Sequence, residues 1–385
     1  MRPIAALMIA ASLTSGGVCL AQPPIKVEAK GPIKVGAISS TALFPEATAA
    51  VRTYFATINE AGGIRGRKLE LIIEDDKIDP KTAAMAARKL VEQDQVVANV
   101  GSASALECAV NAAYYGDKNM VSIQGTGVDP VCFDSPNIAP VNTGPYVGTA
   151  VALKFLADVR RRQRICAVTV GYAPSQKAAF EQIIDEWKRK SGRSLAYVAI
   201  GIAPTDSLAE QVKKAVQAKC DGLVFTAIES GVIDWVKTAR SMKADGIDWV
   251  FLTPAYTQGV ADTLKAEGEG IFAISEFEPW SSRSGMLTDW RNTMLKGGVP
   301  LTSLSQGGYV AASVFVTALR GIEGDITRES VTKAFKSMEP RKVSLMGSPF
   351  SFGPAPRHNP NRAAIPVRLE GGKWRVAHWE YITYQ

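Results

Sequence analysis

From residue 33 onward, short apolar-rich runs alternate with longer stretches in which apolar residues recur every three or four positions. The runs at 33–38, 68–75, 96–100 and 120–124 are strand-sized, and near-continuous apolar runs of this length belong to strands covered on both faces. Between the first two, Val51, Tyr54, Phe55 and Ile58 fall on one face of a helix predicted over 45–60. Asp79-Pro80 starts the next helix as an N-cap followed by proline at the first helical position. After a Pro/Gly-punctuated stretch at 140–144 and a helix over 146–160, the alternation restarts. It gives strands at 164–170, 196–202, 222–227 and 249–252, with helices at 175–190, 208–218 and 232–242. A strand at 271–277 is followed by three helices, 284–295, 304–319 and 327–337, and the chain closes on a β-hairpin, 364–369 and 373–379, around Glu370-Gly371-Gly372.

Strand-helix alternation implies α/β architecture with parallel sheets covered by helices, here in two lobes of similar plan. One lobe is expected from 31–143 and 275–350, the other from 144–274 and 351–385, which makes three crossings with a cleft between the lobes.

The stretch 96–133 sets two strand ends side by side, each followed by a turn of small residues. Such turns let a ligand approach the backbone, and the N-terminus of the helix after the first turn suits an anion. Ser102, Ser104 and Thr126 supply hydroxyls there. Serine and glycine also fill ordinary βα turns, so the stretch alone does not decide between site and scaffold.

Composition narrows the class. The chain opens with Arg2, an apolar run over 4–11 and small residues ending at Ala21, the order of a secretory signal peptide cleaved after Ala21. Val18 ahead of Cys19 is bulkier than a lipid-attachment site carries, which argues against a lipoprotein. The net charge of +7 comes from 44 basic and 37 acidic residues scattered along the chain, unlike the one-faced patch of a nucleic-acid binder. Arg160, Arg161, Arg162 and Arg164 read as the solvated end of a helix.

Beyond Cys19 there are four cysteines, an even number in an exported chain. Cys108 and Cys132 bracket the two strand-end turns and are expected to pair. Cys166 lies inside an apolar strand and Cys220 opens another, so both are expected as buried thiols.

The segments IKVGAISS, INEAGGIRGRKLELIIEDDKIDPKTAAMAARKLV, NVGSASALECA, MVSIQGT, RICAVTV and VRLEGGKWRVAHW together resemble the leucine/isoleucine/valine-binding family of periplasmic proteins that feed ABC importers. The resemblance covers nearly the whole chain after the leader and is strongest over 58–91. It implies a class I periplasmic binding fold, two Rossmann-like lobes that close on a small carboxylate ligand by hinge motion, delivery to permease subunits at the inner membrane, a monomer, and no cofactor. Motif by motif, it implies carboxylate contacts at Ser104, Ala105, Gln124 and Thr126, and an aromatic against the ligand at Phe44. Where many members carry an acid for the ligand ammonium, this chain reads Thr253-Pro254-Ala255-Tyr256. Ala255 replaces the acid, leaving Glu229 as the candidate ammonium partner. The first loop, 39–45, also lacks the customary Gly-Pro. Tyr172 and Tyr256 each follow a second-lobe strand and are expected near the cleft, whereas Trp235 and Trp280 read as packing.

Against this stands an enzyme. The only histidines, His358 and His378, have no partner at metal-ligand spacing, and no Gly-x-Ser-x-Gly turn is present. Gly125-Thr126-Gly127 lacks the third glycine of a dinucleotide fingerprint. Ser330 and Lys333 have Ser-x-x-Lys spacing on a surface helix, which reads as coincidence; Asp75, Asp76 and Asp79 read as strand-end and cap residues before a cation site. A ligand sensor on the same fold remains an alternative to a transport protein.

Overall fold

The computed structural model describes residues 31–385 apart from Tyr172. The expected signal peptide with its cleavage after Ala21, and the expected cleft residue Tyr172, therefore lie outside the described residues. The first part of the chain runs β1 (Ile33–Ser39), α1 (Pro45–Glu60), β2 (Leu69–Asp75), α2 (Pro80–Arg88), β3 (Asn99–Ser102), α3 (Glu107–Asp117), β4 (Ser122–Gln124), α4 (Pro130–Phe133) and β5 (Ile138–Pro140). Its five strands form one parallel sheet in the order β2-β1-β3-β4-β5.

After α5 (Gly144–Lys154) come β6 (Ile165–Val170), α6 (Pro174–Ser191), β7 (Tyr197–Ile202), α7 (Leu208–Gln217), β8 (Gly222–Thr226), α8 (Glu229–Ser241), β9 (Asp248–Phe251), α9 (Gln258–Leu264) and β10 (Phe272–Ser275). Three helices follow, α10 (Thr288–Lys296), α11 (Ser303–Gly321) and α12 (Arg328–Lys336), then β11 (Ala363–Glu370), β12 (Lys373–Val376) and β13 (Ile382–Thr383). The second sheet has the order β12-β11-β10-β9-β8-β6-β7, parallel from β6 to β10, with β11 antiparallel to β10 and β13 paired to β11. The architecture is thus two α/β lobes built on parallel sheets, as the alternation predicts.

The apolar period explains which side each element buries. Val51, Phe55 and Ile58 of α1 are buried, and the strandless helices return to this lobe: Trp290, Met294, Phe315 and Phe335 share a core with Ile33, Val35, Val100 and Ile123. The second lobe closes its own core around Phe225, stacked on Trp235 at 4.1 Å between ring centroids. Gly101 bends β3: its φ is 72°, the register shifts between Val100 and Ser102, and a Cβ there would lie 2.1 Å from a Val51 methyl.

Both cysteine pairs are bridged. Cys108–Cys132 is bonded as expected, with Cα atoms 5.1 Å apart. The expectation of free thiols at Cys166 and Cys220 is overturned, because these two form a second disulfide across 6.0 Å. β8 pairs directly with β6, Ile165 opposite Gly222, while β7 is placed outside them; a neighbour relation that skips a strand in sequence brings the two sulfurs together. The arginine cluster is also less free than expected, since Arg160 and Arg162 donate to Asp248 at 2.8 and 2.7 Å. No described helix is long and apolar enough to cross a membrane.

Candidate ligand-binding site

In the first lobe, the carboxyl ends of β1, β2, β3 and β4 bring Ser39-Ser40, Asp75-Asp76, Ser102 to Ala105 and Gln124 to Thr126 to one edge. A buried acid organises that edge. Asp76 accepts from the Ser40 hydroxyl at 2.9 and 3.0 Å, from the Ser104 hydroxyl, and from the Ile78 N–H at 2.9 Å. Ser104 in turn accepts the Leu106 and Glu107 N–H groups at 2.9 and 2.7 Å, so it closes the start of α3. A serine hydroxyl has one proton, and that of Ser104 is directed to Asp76. The Ala105 N–H is likewise engaged, by Ser40 Oγ at 3.1 Å. Of the expected carboxylate contacts, Thr126 alone has a hydroxyl with no partner among the described residues; its N–H bonds to Ser102 O at 3.2 Å.

Gln124, expected as a carboxylate contact, is placed under the sheet. Strand side chains alternate faces, so Gln124 points to the same side as Ser122, against α3, where it is fully buried and donates to Ser122 Oγ at 2.7 Å. Glu107 lies in the same layer. Its Oε1 accepts from Tyr115 at 2.7 Å, Asn99 at 3.1 Å and Ser122 at 3.3 Å, and burial pushes its carboxyl above the usual carboxylate range. Phe44 is half-buried at the start of α1, beside exposed Leu43; exposed Ile78 follows β2.

In the second lobe, exposed Ile228 follows β8. Glu229, the expected ammonium partner, accepts from the Thr257 hydroxyl at 2.9 Å, and Thr257 caps α9. It therefore braces the start of α8 against the start of α9. Tyr256, expected against the ligand, is fully buried: it stacks on Trp280 at 4.6 Å, meets Trp374 edge-on at 5.5 Å and donates to Ser281 Oγ at 2.8 Å. Trp280, read from sequence as mere packing, touches the cores of both lobes. Ala255 is buried beside Tyr256.

The residues read as structural behave so. Asp79 caps α2 by accepting the Thr82 N–H at 2.7 Å, and Ser330 is the third helical residue of a capping box with Thr327. His358 is buried on Ser135 O and Ile138 O, with burial holding its pKa below the ordinary value. No group of acids, histidines or cysteines among the described residues is arranged to hold a metal ion.

Residues 32–373 match the family described as Periplasmic binding protein. The chain belongs to that family. Its substrate-binding proteins serve ABC transporters, and the solved structures like this one include a possible leucine/isoleucine/valine-binding protein from Rhodopirellula baltica, 16% identical with a TM-score of 0.77 over 93% of this chain and 99% of that one. A fatty acid ABC transporter substrate-binding protein from Thermomonospora curvata superposes with a TM-score of 0.76 at 19% identity, covering 92% and 93% of the two chains. A solute-binding protein from R. palustris in complex with 4-hydroxybenzoate gives 0.76 at 17% identity over 92% and 98%. At these identities the likeness is one of fold. An amino acid binding protein of Pseudomonas aeruginosa is 34% identical over 73 residues, 19% of this periplasmic binding protein and 20% of that relative's length.

Proposed function

We propose that this protein is the exported, monomeric substrate-binding component of an ABC importer, capturing a small organic acid without an α-ammonium group and delivering it unchanged to a permease. The observation that carries the reading is the commitment of acids at the strand ends. Glu229 is engaged by Thr257, and Asp76 by Ser40, Ser104 and Ile78. A ligand ammonium buried by lobe closure needs a paired acid, because an unpaired buried charge costs several kcal/mol. Leu43, Phe44, Ile78 and Ile228 offer apolar surface at the same edges, which suits an aromatic or aliphatic body, with the Thr126 hydroxyl as donor to the acid group. Relatives of like fold bearing 4-hydroxybenzoate or named for fatty acids are consistent with this choice.

Thermal denaturation with 4-hydroxybenzoate, 4-methyl-2-oxovalerate and octanoate, set beside leucine and valine, tests the reading. A true ligand at a hundredfold over its dissociation constant stabilises the fold by about 2.7 kcal/mol. Stabilisation by leucine or valine with none from the ammonium-free acids overturns it; recovery of chemically altered ligand by mass spectrometry overturns the non-enzymatic role.

A further inference from the structure

The three segments that carry the chain between the sheets, 141–144 after β5, 275–278 after β10 and 361–363 into β11, meet at one buried acid. Glu276 Oε1 accepts the Gly144 N–H at 2.7 Å and the Asn142 side-chain amide at 3.2 Å. Asn361 Nδ2 donates to Val141 O at 3.2 Å and Glu276 O at 2.9 Å, and the Thr143 hydroxyl donates to Ala363 O at 2.8 Å. Gly144 has a φ of 75°, and a Cβ there would fall 2.1 Å from the Phe133 ring, so the bend requires glycine.

Asn142 faces two ways. Its Oδ1 accepts the Gly127 N–H at 2.8 Å, while its Nδ2 donates to Gly127 O at 3.0 Å as well as to Glu276. The Gly127 N–H sets the orientation of this amide, because a flipped amide would turn donor against donor. Gly127 directly follows Thr126, so one side chain joins the turn at the strand-end edge to the acid between the lobes.

We infer that Asn142 and Glu276 are positioning residues that tie the 125–127 turn to the hinge, so that occupancy of the turn and the setting of the hinge are read by each other. The inference rests on the reading of Thr126 as a ligand contact. Burial pushes the Glu276 carboxyl above the usual carboxylate range, against the contacts of Gly144, Asn142 and Thr253, which favour its ionised form. The groups on it, from every element packed there, are Asn142, Gly144 and Thr253, with Asn361 on its backbone; none is charged. The nearest titratable groups in sequence to these are engaged elsewhere, Glu278 with Ser282 and His358 with Ser135 and Ile138. Ionisation leaves an unpaired charge among amides, a state relieved by admitting water, so rising pH loosens the joint.

Amide hydrogen exchange of the ligand-free protein, read at Gly127 and across 141–144 and corrected for chemical exchange, tests this without any ligand. In the wild type, protection of Gly127 falls as pH rises. Glu276→Gln keeps the turn protected and abolishes that response. Asn142→Ala speeds Gly127 exchange about tenfold, the loss of one hydrogen bond. A pH response that survives in Glu276→Gln, or unchanged Gly127 exchange in Asn142→Ala, overturns the inference. A negative result here leaves the ligand assignment standing, and failure of the ligand panel leaves this result standing.

Discussion

Each lobe carries one disulfide, and the two sit at opposite ends of their strands. Cys108–Cys132 joins the first turns of α3 and α4, the helices that leave the candidate edge after β3 and β4. Cys166 is the second residue of β6, and Cys220 lies two residues ahead of β8, at the edge remote from the strand carboxyl ends. The same bond therefore has different reach. In the first lobe it fixes the two turns proposed to meet the ligand, and Phe133 next to it packs edge-on against Tyr146 at 6.1 Å, just beyond Gly144. In the second lobe it fastens neighbouring strands at the edge away from the strand carboxyl ends.

The comparison breaks most visibly when the bridges are removed. On the loop-entropy account, a double Cys166→Ser, Cys220→Ser variant, opening a bridge between residues 54 apart, loses about 4 kcal/mol of stability. Removing Cys108–Cys132, a separation of 24, costs about 3.5 kcal/mol. Denaturant titration measures both. The affinity for whichever panel acid binds should fall only in the Cys108, Cys132 variant; equal losses in both would erase the distinction between the lobes.

The buried acids sharpen it next. Glu107→Ala leaves the Tyr115 hydroxyl hydrogen without its acceptor, while the Asn99 amide keeps Tyr115 Oη at 2.9 Å, and should cost roughly 1–3 kcal/mol. Because burial raises the folded-state pKa of Glu107, the native state holds its proton more tightly than the unfolded chain. The resulting stabilisation is full below the unfolded pKa, about 4.3, and is lost as pH rises through the raised value. Glu107→Gln should flatten that part of the stability profile; a wild-type profile insensitive to the substitution would show Glu107 ionised in the fold.

Serine and threonine at the ligand edge should separate in kind. Ser104→Ala uncovers a buried carboxylate and the first turn of α3, and is expected to cost about 1–3 kcal/mol of stability. Thr126→Ala should spare stability and weaken ligand binding by about 1–2 kcal/mol in calorimetry, the loss of a hydrogen bond to a charged acceptor. The smallest effect belongs to Glu229→Gln, which keeps an acceptor for Thr257 and should change stability by roughly 0.5 kcal/mol or less with no change in ligand preference. A switch in preference on that substitution would restore Glu229 to the site.

Local pattern determined much of this protein. The helix over 45–60, the cap at Asp79, the two-lobe alternation, the return of the three late helices and the terminal hairpin all follow from periods, caps and turns that act over a few residues. Short elements such as β5 and α4 left too little period to read. Long-range neighbours were decided by the tertiary structure alone. That β8 lies beside β6, which bridges Cys166 to Cys220, depends on sheet order. That the Ser104 proton goes to Asp76, Gln124 turns under the sheet, Glu229 clasps Thr257 and Tyr256 stacks on Trp280 depends on which side chains arrive opposite one another. Residue type announces what a hydroxyl or carboxylate can bond; only packing chooses the partner, because each donor hydrogen satisfies the acceptor that the fold brings within about 3 Å.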